Sequence, residues 1–282
     1  ELAHEVFQAW ETFPLWDTAR RARLGIDLAA YDHEMAEVMA AMTPTAAANP
    51  HAWSPTALTV EQVQTPGPDN RYVGWPYTKH EVSVMDVDMA AALLVTTAEK
   101  ADALGIPVDK RIYLASSSYA EDPTGVAERD DMSASAAMRI TSRTALEAAR
   151  IGLVDVTCFD LYSCFPSSLT LACDALGLDQ LDPRGLSVTG GLPFAGGPGS
   201  GYLLHGIATA VERLRAEGGN ALVTGVGMHL QKHIAAVYRT EPGWTATPEV
   251  QPDVDAAQPR RALVDSYDGS ARVAAYTVAH DR

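Results

Sequence analysis

Cysteine is scarce in this chain of 282 residues: Cys158, Cys164 and Cys173 are the only three, and they fall within one short stretch. An odd, clustered set excludes a disulfide framework, so a reducing cytosol is the expected compartment. Separations of six and nine residues match no zinc pattern such as Cys-x2-Cys, and no metal ion or resident cofactor is expected. Positive charge is short as well. Lys and Arg number 21 against 36 Asp and Glu, a net charge of −15 that argues against a protein coating nucleic acid or anionic lipid and leaves room only for a local basic pocket. Long apolar runs are missing too: no stretch of about eighteen uncharged apolar residues occurs, so no membrane span is expected. The opening residues, Glu1-Leu2-Ala3-His4-Glu5, lack the basic start and apolar run of a signal peptide. What is there suits a globular fold. With 47% hydrophobic and 20% charged residues, the chain is long enough for one large or two ordinary domains. It starts without Met and stops just past a strand-like run, 271–278, which reads as a processed or incomplete polypeptide.

Apolar residues at three- and four-residue spacing, among them Leu24, Leu28, Tyr31, Met35, Val38 and Met39, predict two or three helices over 1–43. Pro, Asn and Thr crowd 44–76, which precludes long helices and predicts an extended, crossing segment. Residues 86–104 read as an apolar strand passing into a helix that Gly105 ends. Beyond them the pattern alternates, with strands over 111–115, 155–161, 186–189, 221–225 and 233–239 and helices over 133–150, 166–176 and 199–216. Such interleaving predicts an α/β layer in which helices cover a buried sheet. A tight turn between the last two strands predicts an antiparallel pair. Residues 240–260 read as a linker, and 262–278 as the start of a small β element.

Three motifs carry chemistry. The first, Thr189-Gly190-Gly191-Leu192-Pro193-Phe194-Ala195-Gly196-Gly197-Pro198-Gly199-Ser200-Gly201, leads into a helix. Glycines there let the backbone approach a ligand and leave amide N–H groups free for an oxyanion or phosphate. It is neither a Walker loop nor a Gly-x-Gly-x-x-Gly fingerprint, and the plain alternative is a connector that lets helix and strand pack closely. The second, Phe159 to Ser168, runs from strand into helix with Pro166 as first-turn residue. Tyr162 or Cys164 at that switch suits an acid, base or nucleophile; alternatively Cys164 is a small buried residue and Tyr162 a core aromatic. Cys173, on an apolar helix face, reads as core. The third, Thr224 to His233, places His229 and His233 four residues apart across a strand–turn–strand. No third metal ligand accompanies them, so a proton-handling or hydrogen-bonded role is expected. His4, His33, His51, His80 and His280 read as surface or structural.

In this order the motifs resemble the C-terminal half of the thiolase superfamily. Phe-Asp-Leu-Tyr-Ser-Cys-Phe-Pro-Ser, Gly-Gly-Leu-Pro-Phe-Ala-Gly-Gly-Pro-Gly and Gln-Lys-His-Ile-Ala-Ala-Val-Tyr-Arg-Thr-Glu-Pro are similar to actinobacterial acetyl-CoA acetyltransferases related to the sterol-carrier-protein type of thiolase. The resemblance implies an α/β, thiolase-like layered fold with helices around a mixed five-stranded sheet. It divides the chain into a helical and extended loop domain (1–80), the last strand and helix of an N-terminal thiolase half (81–105), a C-terminal half (106–240), and a linker with the start of a small β domain (241–282). It implies an acyl-CoA substrate, a cytoplasmic homodimer or heteromer, and no partner in nucleic acid or membrane.

The same resemblance marks departures. No cysteine precedes Cys158, so the family's nucleophile segment is expected to be missing. Tyr162-Ser163-Cys164-Phe165 corresponds to the family's Asn-Glu-Ala-Phe or His-Asp-Cys-Phe, Gly196-Gly197-Pro198 to its Gly-His-Pro, and Gly225-Val226-Gly227 to its Cys-x-Gly. The expected catalytic set is therefore Tyr162, Cys164, His205, His229 and His233. Gly190, Gly191, Gly196, Gly197, Gly199, Gly225 and Gly227 are expected to line the oxyanion and CoA site. Either thiolase-like carbon–carbon bond chemistry beside a thioester, or retro-aldol cleavage of a β-hydroxyacyl-CoA such as a steroid side chain, is expected. A non-catalytic acyl-CoA-binding subunit of a heteromer is the alternative.

Overall fold

The computed structural model describes residues 6–278, so His4 and His280 lie outside the described residues. The N-terminal periodicity resolves into three helices, α1 (Ala9–Thr12), α2 (Pro14–Leu24) and α3 (Leu28–Ala48). Pro at the first position starts α2, and Asp27 caps α3 by accepting the Ala30 N–H at 2.9 Å. Contrary to the proline-based expectation, α3 runs through Pro44. The reason is local: the Thr43 hydroxyl donates to the Ala40 carbonyl at 2.8 Å, giving that oxygen the hydrogen bond that Pro44 has no N–H to supply.

Next come α4 (Val60–Gln64), the short hairpin β1 (Tyr72–Gly74) and β2 (Tyr77–Thr78), and α5 (Ala98–Ala103). The expected strand over 86–97 does not form; Leu94 and Val95 are 86% and 85% exposed, and among the described residues no strand lies beside them. A single strand has no ladder to complete its backbone hydrogen bonds.

The layered part follows as β3 (Tyr113–Glu121), α6 (Ala136–Ala149), β4 (Cys158–Asp160), α7 (Pro166–Leu176), α8 (Leu192–Ala195), α9 (Tyr202–Glu217), β5 (Asn220–Gly227), β6 (Lys232–Arg239) and α10 (Gln251–Ala257). The sheet order is β3-β6-β5-β4, with β6 antiparallel to both neighbours and β4 parallel to β5. Helices surround a mixed sheet as expected, but the described sheet has four strands rather than five. Residues 186–189 lie beside β4, where the Leu161 N–H donates to the Leu186 carbonyl at 2.8 Å. The ladder ends there because the chain bends at Leu186 and again at Val188, while the hydroxyl of Ser187 between them turns to Asp160 at 2.8 Å.

Helix α6 covers one face of the sheet and α9 the other, while α7 links α6 to α2 and α3. One apolar core runs from Phe13, Trp16 and Met35 through Phe165 and Leu169 to Leu222 and Val237. Buried Arg20 clamps its helical side, donating to Asp174 from Nε at 2.9 Å and Nη2 at 3.0 Å and to Glu34 from Nη1 at 2.7 Å. The outer edge of β3 is covered by the following chain: the Thr245 N–H donates to the Ala115 carbonyl at 2.9 Å, and the Gln251 side chain bonds both backbone groups of Glu121 at 2.8 Å. Among the described residues 262–278 form no β element: Val278 alone makes an isolated bridge, opposite Trp75, and the other isolated bridge, Arg260 opposite Arg129, comes before the stretch.

Candidate active site

Three stretches distant in sequence close around one cleft of about 970 Å³. Tyr162 and Cys164 come from the β4–α7 junction, Gly197 and Gly199 from the loop between α8 and α9, and Gly225 and Gly227 from the end of β5. Hydrogen bonds tie them together: the Tyr162 N–H donates to Thr224 Oγ1 at 3.0 Å, and the Leu192 N–H to Ser163 Oγ at 3.1 Å. A fourth stretch, 82–86, bridges the gap. The Ser83 N–H donates to the Cys164 carbonyl at 3.0 Å, and the Gly197 N–H to the Val84 carbonyl at 2.8 Å.

Asp160 stands behind the glycine-rich loop, fully buried. Its Oδ1 accepts the Ser187 hydroxyl at 2.8 Å and the Tyr202 hydroxyl at 3.3 Å, and Ser187 Oγ accepts the N–H groups of Thr189 and Gly190, each at 3.2 Å. Burial pushes the Asp160 carboxyl up to about 6 against these hydrogen bonds. The Tyr202 ring meets Tyr162 edge to face, centroids 5.6 Å apart. A buried carboxyl therefore shapes the loop entrance and, through Tyr202, the wall behind Tyr162.

Strand alternation decides what reaches the cleft. Lys232 and Ile234 line it, and His233, between them, projects to the opposite face. There His233 is buried, its Nε2 donating to the Leu230 carbonyl at 3.1 Å and lying 3.4 Å from Asp122. A Cβ at Gly225 would meet Ile234 Cγ2 at 2.8 Å, and the bare backbone keeps the cleft floor low.

Tyr162 and Cys164 both face the cleft, in opposite chemical condition to a nucleophile. Burial pushes the Cys164 thiol up to about 12, outweighing the hydrogen bond to Ser168, so at neutral pH it is a protonated thiol. Burial, and then Cys164, hold the Tyr162 phenol well above its usual value, leaving it a proton donor. Cys158 and Cys173 are free, buried and absent from the cleft wall.

Several expected site residues lie elsewhere. His229 sits in the β5–β6 turn with its ring edge-on to Phe7, centroids 5.5 Å apart, and its carbonyl accepting from Arg129 at 2.8 Å. His205 lies on α9 off the cleft, held below its usual value by burial and by His51. Gly190, Gly191 and Gly196 are close-packing positions off the cleft wall: side chains there would strike Ala46 and Met42 of α3 and Met89 of the irregular stretch before α5 respectively. The sequence reading missed Trp10, Phe13, Tyr119, Lys79, Lys232 and the 82–86 stretch. For Tyr119 a signal existed in the alternation of buried Ser118 and Ala120 with Tyr119 and Glu121, which extends the strand past Ala115. The mouth gathers Arg71, Lys79 and Lys232 beside Asp69 and Asp86, a local basic group on an acidic chain.

No protein-family profile matches the chain. Its structure superposes on that of a monomeric SCP2-thiolase-like protein type 1 (STLP1) from Mycobacterium smegmatis with a TM-score of 0.90, at 41% sequence identity over 96% of this chain. The chain belongs to the thiolase superfamily. It spans 60% of the length of the mycobacterial protein. The structure also resembles the Ltp2-ChsH2(DUF35) aldolase with a TM-score of 0.61, covering 85% of this chain and 66% of that one; at 15% identity this likeness is one of fold alone. In this thiolase-superfamily chain the motif stretches meet at one cleft, and among the described residues no group of His, Cys, Asp and Glu gathers to hold a metal ion. No described helix is long and apolar enough to cross a membrane.

Proposed function

We propose that this chain forms the acyl-CoA-handling part of a thiolase-like enzyme that cleaves a β-hydroxyacyl-CoA by retro-aldol chemistry, without an acyl-cysteine. The observation that carries the reading is the condition of the cleft: a protonated phenol, Tyr162, beside a thiol pushed up to about 12. Claisen chemistry needs an activated thiolate, whereas retro-aldol cleavage needs an acid, a base and support for an enolate oxygen. The bare floor at Gly225 and Gly227 leaves room for that oxygen. Arg71, Lys79 and Lys232 suit the phosphates of CoA, and the apolar wall of Trp10, Phe13 and Leu192 suits a bulky acyl group. Carbon–carbon cleavage on this fold has a counterpart in the aldolase named above.

The test is incubation of the full-length protein with tertiary β-hydroxyacyl-CoA thioesters, following the released ketone and the shortened acyl-CoA by mass spectrometry. Cleavage with no acyl increment on the denatured protein is expected. An acyl-enzyme would replace this reading with thiolase transfer, and binding without turnover would replace it with an acyl-CoA-binding subunit.

A further inference from the structure

Across the cleft from Tyr162 stands a second phenol. Tyr119 on β3 is in register with Ile234 on β6, which is in register with Gly225 on β5. Two residues on, Glu121 is in register with Lys232, and Lys232 with Gly227. These two rows share one face of the sheet, and Tyr119, Ile234, Gly225, Lys232 and Gly227 all line the cleft. Tyr119 is 50% exposed there, and its hydroxyl donates to the Glu121 carboxylate. Gly225 and Gly227 put no side chain on the floor between the two tyrosines.

We infer that Tyr119, backed by Glu121, is the base that takes the substrate's β-hydroxyl proton, opposite Tyr162 as the acid. This rests on the retro-aldol reading and extends it to a second residue pair. The two phenols differ in surroundings: Tyr119 has a carboxylate to receive its proton, while Tyr162 abuts the Tyr202 ring edge and the Cys164 thiol.

The step balances without an oxidant or reductant. The β-hydroxyl proton passes to the Tyr119 oxygen as the phenol's own proton passes to Glu121. The Cα–Cβ bond breaks, its electron pair forming the thioester enolate, and Cβ becomes a carbonyl carbon. Tyr162 then protonates Cα and is reprotonated from solvent, into which Glu121 releases its proton.

The experiment compares Tyr119→Phe, Glu121→Gln and Tyr162→Phe in the full-length protein. Two rates are read: cleavage of tertiary β-hydroxyacyl-CoA thioesters, 3-hydroxy-3-methylbutanoyl-CoA being the smallest of the series, and deuterium uptake at Cα of the shortened acyl-CoA in D2O. Uptake at Cα needs the group that serves the enolate and not the one that serves the β-hydroxyl. Tyr119→Phe and Glu121→Gln are expected to lower kcat for cleavage by about 10²-fold or more, with KM and deuterium uptake within about twofold of wild type. Tyr162→Phe is expected to lose both rates. Tyr119→Phe that cleaves at the wild-type rate overturns the inference and leaves the retro-aldol reading standing. Equal loss of cleavage and uptake in Tyr119→Phe overturns it too, because that is the mark of a structural role. Wild-type protein that performs neither reaction removes the retro-aldol reading and this inference with it.

Discussion

Three buried carboxyls make this protein's stability depend on pH in an unusual direction. Burial pushes Glu81 from 4.5 up to about 8, and Asp17 and Asp160 from 3.8 up to about 6, against the pull of their hydrogen bonds. An acid whose folded value is raised binds its proton more tightly in the folded state. Its contribution is therefore fully present below the unfolded value and is lost as pH rises through the folded one. For Glu81 the window runs from 4.5 to about 8; the loss across it is on the order of 5 kcal/mol. The melting temperature is expected to fall between about pH 5 and about pH 8, and Glu81→Gln to flatten that slope and raise the melting temperature at the alkaline end. A Glu81→Gln protein with the wild-type slope in a pH series of thermal melts would contradict the assignment. His80, lowered by burial and Lys79, works in the opposite sense on the acid side. None of these carboxyls stands out in sequence: Glu81 follows Lys79-His80 in a polar run and reads as surface.

Elements were legible where local chemistry and tertiary packing agree. Helix α7 begins at Pro166 and ends before Gly177 as its residues dictate, and α6 is capped by Ser135, which accepts the Met138 N–H at 3.0 Å. Strands were less legible because a ladder depends on its neighbour. Strand β3 continues to Glu121 because β6 pairs with it over that whole length, whereas the equally apolar 91–97 has no such neighbour. The glycine-rich loop shows both meanings of glycine. Gly190 has φ +99°, and a Cβ there would lie 2.4 Å from the Ala46 backbone; Gly199 has φ +55° with nothing within 4 Å. Gly190→Ala is therefore expected to cost about 3 kcal/mol or to prevent folding, and Gly199→Ala about 1 kcal/mol, measured by urea denaturation. Similar costs at both positions would mean that α3 does not press on this loop.

At the scale of the molecule, the N-terminal helices and the sheet layers share one core. Trp16 of α2 lies in that core beneath Arg129, whose guanidinium carbon sits 4.7 Å from its ring centroid and which also donates to the Leu230 and His229 carbonyls at 2.9 and 2.8 Å. Arg129 thereby joins α2 to the β5–β6 turn beside the cleft. Unfolding in denaturant is expected to be a single transition, with far-ultraviolet circular dichroism and tryptophan fluorescence coincident. Two separated transitions would show the helical region to be an independent unit.

The sequence by itself determined the helices with strong caps, the alternation that makes an α/β layer, and the three motif stretches that meet at the cleft. These are local matters, settled by residue periodicity, proline and glycine. Only the tertiary structure decided which side chains of those stretches face the cleft. His233 is excluded by a two-residue period and the burial of its face against α6, and Gly190 is claimed by Ala46 of α3. Lys79 and Trp10 enter from elements whose approach no local signal encodes. The states of the titratable groups were decided there too, because the same cysteine or tyrosine is reactive or inert according to how much water the fold leaves around it.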